Sequence, residues 1–66
     1  MKAYVVRIRK STYLTETMGR TNNLQDCMWF KDRATAELYL DYKDKHQYVM
    51  EIYLRKENGQ WVAYEE

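Results

Sequence analysis

Cys27-Met28-Trp29-Phe30, and then Asp32-Arg33-Ala34-Thr35-Ala36-Glu37-Leu38-Tyr39-Leu40-Asp41-Tyr42, is the stretch on which the fold turns. The first four residues form a short apolar run that reads as a strand. Asp32 then suits a helix start, because its carboxylate can accept from the free amides of the first turn and complements the helix dipole. Ala34, Ala36, Glu37, Leu38 and Leu40 favour helix, and neither Gly nor Pro interrupts them. At about 100° per residue, Arg33, Glu37, Asp41 and Asp44 fall on one narrow polar arc. Ala34, Ala36, Leu38, Tyr39, Leu40 and Tyr42 spread over the remainder, a wider apolar arc than one sheet face needs. Either a loop or the sheet rim covers the excess, or part of the helix meets a partner. This reading predicts a helix from Asp32 to about Asp44, with Leu38 in the core.

Strands surround the helix in sequence. Ala3 to Arg9 alternates, which places Tyr4, Val6 and Ile8 inward and Ala3, Val5, Arg7 and Arg9 outward. Gln47 to Lys56 is the longest strand, with Tyr48, Met50, Ile52 and Leu54 on one face and Val49, Glu51, Tyr53 and Arg55 on the other. Asn58-Gly59 is the preferred pair for a two-residue type I′ hairpin turn. With that turn, Glu57 opposes Gln60, Lys56 opposes Trp61, Leu54 opposes Ala63 and Tyr53 opposes Tyr64. Between Ser11 and Gln25 the signal fades into Thr-rich residues, Gly19 and Asn22-Asn23, which predicts a long, mobile hairpin loop. The expected architecture is α+β: one small domain over residues 1–66, β-β-α-β-β, an antiparallel sheet with one helix packed on one face. Ile52, like Leu38, is expected to be almost fully buried.

At 66 residues the chain is near the lower limit for folding without a staple. Cys27 is the only cysteine, so no internal disulfide forms. The run of Ala3 to Arg9 so near the start predicts a chain without a signal peptide, no stretch approaches membrane-spanning length, and a free thiol suits a reducing interior. A cytoplasmic location is therefore expected. Hydrophobic residues make up 45% of the chain, with seven Tyr and two Trp, more than so small an interior hides. That surplus predicts a symmetric homodimer.

Catalytic chemistry finds little support. Cys27 and His46 could pair as nucleophile and base, but Cys27 lies in an apolar run without a neighbouring cation, which describes a buried structural thiol. Asp41 and Asp44 belong to the solvated helix arc. No Gly-rich phosphate loop, zinc spacing or nucleophile elbow is present, so no metal, no cofactor and no enzymatic activity are expected. The net charge of +1 argues against a mainly electrostatic nucleic-acid binder, although Lys2, Arg7, Arg9 and Lys10 make the first ten residues basic.

A single helix covers only one face of a sheet, so the outer face is the expected contact surface. Arg7, Arg9, Tyr53, Arg55, Val62 and Tyr64 are its candidate partner-binding residues. Tyrosine and arginine there suit a protein interface; they also suit base stacking and phosphate contact, which keeps a small nucleic-acid binder as the alternative. In size and manner the chain is similar to small intracellular bacteriophage proteins that bind and inhibit one host factor. That similarity implies stoichiometric binding of a protein, such as a bacterial defence protein or polymerase.

Overall fold

The Asn58-Gly59 turn forms as its residue types demand. Asn58 and Gly59 both take positive φ, 51° and 79°, the backbone of a type I′ turn. The computed structural model describes residues 1–65, Glu66 lying outside them. Its elements in chain order are β1 (Lys2–Arg9), β2 (Thr12–Leu14), β3 (Arg20–Thr21), α1 (Arg33–Glu37), β4 (Tyr48–Glu57) and β5 (Gln60–Glu65). The strands pair antiparallel in one sheet of order β3-β2-β1-β4-β5, so the chain is a small α+β domain. The hairpin register matches the expected one, with Tyr53 against Tyr64, Leu54 against Ala63, Lys56 against Trp61 and Glu57 against Gln60.

β1 departs from the simple alternation. Ala3 and Val5 are as buried as Val6 and Ile8, so the strand is covered on both faces along its first half. Ala3 and Val5 lie across from Ile52 and Met50, and pack with Tyr13, Cys27 and Leu54. Val6 lies across from Val49 and packs with Ile8, Leu14, Phe30 and Ala36. The outward assignment of Ala3 and Val5 is thus corrected. Ala3-Tyr4-Val5-Val6 is a continuous apolar run, which is how a strand buried on both sides reads.

The helix is shorter than its residue propensities suggest. Asp32 caps it as expected, its Oδ1 accepting from the Thr35 amide at 2.8 Å. After Glu37 the bonding tightens to three-residue spacing, with the Leu38, Tyr39 and Leu40 amides donating to Thr35, Ala36 and Glu37 carbonyls. Ala36 is the helix's one buried residue, so packing holds little more than one turn. Leu38, expected in the core, is 79% exposed, and Tyr42 is 81% exposed. The expected strand at Cys27–Phe30 shrinks to one antiparallel bridge between Phe30 and Tyr4. The 11–25 stretch holds more order than a plain loop, since β2 and β3 form within it.

The second layer comes from the segment that follows β3. Leu24, Cys27 and Trp29 cover the sheet face opposite the helix, with the Cys27 thiol and Trp29 Nε1 both donating to the Leu24 carbonyl. Tyr13 on β2 donates from its hydroxyl to Glu65 on β5 at 2.6 Å. Three strand spacings separate those strands, about 14 Å in a flat sheet, so the sheet must curl around this face. Burial pushes the Tyr13 hydroxyl up to about 12, with help from Glu65, and pushes the Cys27 thiol up to about 11. Each group therefore favours its protonated form more in the folded than in the unfolded chain. Their contribution to stability is whole below about pH 9 and is lost as pH rises through about 11 and 12. The urea midpoint should fall across that window, and Tyr13→Phe should flatten its upper half.

Candidate functional site

β4 and β5 place four of the candidate residues side by side. Tyr53 opposes Tyr64 and Arg55 opposes Val62, so all four share one sheet face. It is the face of Val49 and Val6, on which Ala36 sits, rather than the opposite one. α1 ends after Glu37 and its cluster reaches β4 only at Val49, which leaves the far end of the hairpin uncovered. Arg55 and Tyr64 are exposed, while Tyr53 and Val62 are half-buried. Lys2 opposes Tyr53 from β1 and pairs with Glu51 at 3.2 Å, which holds its ammonium above the usual range. The Tyr64 hydroxyl donates to Glu57, and that bond holds its proton above the ordinary tyrosine value.

Arg7 does not join them. It lies across from Tyr48, on the face of Met50 and Ile52, and is engaged within the chain. Its guanidinium donates to the Tyr48 hydroxyl at 3.0 Å and to the Lys10 carbonyl, and lies 5.9 Å from the Tyr48 ring centre. Arg9 follows an irregularity in the β1–β2 ladder and pairs with Asp44 at 3.1 Å, tying the end of β1 to the turns beyond the helix. The expectation that all six residues share one surface therefore holds for Tyr53, Arg55, Val62 and Tyr64, and is corrected for Arg7 and Arg9. The phase error of β1 is the cause, since reversing its faces carried both arginines to the wrong side.

The helix exit is a second apolar surface. Leu38 and Tyr42 stand out there, while Tyr39 turns back onto Phe30 with ring centres 4.9 Å apart. The breadth of the helix's apolar arc pointed to this surface, though the residues were assigned to a longer helix.

Cys27 and His46 stand in different surroundings. The Cys27 thiol is buried with a raised pKa, the opposite of what a reactive thiolate needs. The His46 amide donates to Asp44 Oδ1 in an exposed turn. No three His, Cys, Asp or Glu residues stand together to hold a metal among the described residues. An apolar cavity of about 420 Å³ lies between Ala3, Trp29, Phe30 and Leu54, with Met1, Lys2 and Lys31 also lining it. Those residues include neither a carboxylate nor an imidazole. No described helix is long and apolar enough to cross a membrane. Comparison with protein-family models, with curated proteins and with solved structures yields no match.

Proposed function

We infer that this chain is a non-catalytic interaction module that binds a protein partner stoichiometrically through Tyr53, Arg55, Val62 and Tyr64. The observation that carries this reading is the register of the β4–β5 hairpin, which sets two tyrosines and an arginine on a sheet surface beyond the helix's reach. Tyrosine offers broad contact area at low entropic cost, and arginine offers forked hydrogen bonds to carboxylates. Glu51 and Glu57 stand within the same surface and bond to Lys2 and Tyr64. Those carboxylates, with a net charge of +1, favour a protein over a nucleic-acid strand. Action as an inhibitor of a host or defence protein in the cytoplasm is supported by the likeness in size to small bacteriophage proteins and by the free thiol. A homodimer is supported by Leu38 and Tyr42, which give the chain a separate hydrophobic contact.

Capture from lysate on the immobilised chain, with and without nuclease, tests the partner class. Protein bands that survive nuclease are the expected result. Loss of every band on nuclease treatment would replace this reading with nucleic-acid binding.

A further inference from the structure

β5 is an outer strand, and an outer strand presents a row of peptide N–H and C=O groups to anything extended that approaches. Sequence usually blunts such an edge with lysine, proline or an inward charge. Gln60-Trp61-Val62-Ala63-Tyr64 has none of these, and the one inward carboxylate, Glu65, stands at the strand's end, engaged by Tyr13. The opposite edge, β3, is protected by being two residues long.

What occupies the β5 edge instead is one side chain from the far side of the sheet. Glu57 and Gln60 close the hairpin, so the peptide groups of Trp61 and Ala63 point away from β4. Gln25 Nε2 donates to the Trp61 carbonyl at 2.6 Å, and the Ala63 amide donates to Gln25 Oε1 at 3.0 Å. A single carboxamide thus makes the two bonds that the N–H and C=O of a neighbouring strand would make. Its own backbone is held in an Asx turn, with the Gln25 amide donating to Asn23 Oδ1 at 2.9 Å and the Asn23 amide donating to Thr21 Oγ1 at 3.1 Å. Gln25 is therefore presented from just beyond β3 to the strand at the other end of the sheet.

We propose that the outer edge of β5 is a strand-pairing surface for a second copy of this chain, held closed by the Gln25 carboxamide. The edge is self-complementary. Two copies related by a two-fold axis at Val62 set Trp61 of one against Ala63 of the other, and both residues exchange N–H and C=O bonds. Gln60 then opposes Tyr64 and Val62 opposes itself, so no like charges meet. This inference stands apart from the proposed contact surface, because it concerns the strand's edge rather than its face.

Light scattering of wild type, Gln25→Ala and Gln25→Met at matched concentration tests it, with circular dichroism as the check on folding. Both variants should keep the wild-type spectrum and gain a species of twice the wild-type mass. Adding Val62→Glu should return the wild-type mass, since that residue faces Arg55 within the hairpin but faces itself across the two-fold axis. Folded variants with the wild-type mass would overturn the proposal. So would a doubled mass that survives Val62→Glu. Unfolding of both Gln25 variants would make the contact a structural tie and would overturn it equally.

Discussion

Ile52→Ala should remove a large share of the protein's stability, whereas Leu38→Ala should be nearly silent. Ile52 is fully buried at the centre of β4, opposite Ala3 and packed with Val5 and Leu54. Truncating it removes apolar contacts and leaves a cavity, at a cost of about 2–5 kcal/mol. A domain of this length has a total stability at the low end of about 5–15 kcal/mol, so that loss takes a large share of it. Leu38 is 79% exposed beyond the end of α1, and its truncation should change stability by no more than about 0.5 kcal/mol. Urea unfolding followed by circular dichroism measures both. Equal losses at the two positions would mean that the helix carries Leu38 into the core after all.

The second large effect is on binding. Tyr53→Ser with Tyr64→Ser removes the cross-strand aromatic pair on the open end of the hairpin. The fold should lose about 1 kcal/mol or less, the scale of one cross-strand pair. Affinity for the captured partner should fall by about 2 kcal/mol or more, about thirtyfold in Kd, as central aromatic anchors usually cost when truncated. Titration calorimetry on the folded double variant reads the difference. Unchanged affinity would shift attention to the Leu38–Tyr42 surface.

How far residues alone disclosed this molecule depended on how local each determinant is. Asn58-Gly59 encodes its turn within two residues, and that turn carries the whole β4–β5 register with it. Tyr53, Arg55, Val62 and Tyr64 could therefore be grouped correctly from sequence. Nothing local couples β1 to β4, because the first residues of β1 are apolar on both faces and no tight turn joins the two strands. The phase between them was lost, and Arg7 and Arg9 were placed with a surface they do not share. α1 shows the converse limit. Good helix formers run to Tyr42, yet of α1 only Ala36 is itself buried, and a helix with so little packing does not propagate. The Gln25 contact with β5 had no sequence signal at all, since its partners lie 36 and 38 residues away. The same holds for the curl of the sheet, which Tyr13 and Glu65 report from 52 residues apart.

The contact surface itself is the central claim, and its footprint is the direct measurement. Amide chemical-shift changes in the folded wild-type chain, recorded as the captured partner is added, should be largest at Tyr53, Arg55, Val62 and Tyr64. Changes concentrated at Leu38 to Tyr42, with β4 and β5 unmoved, would contradict it.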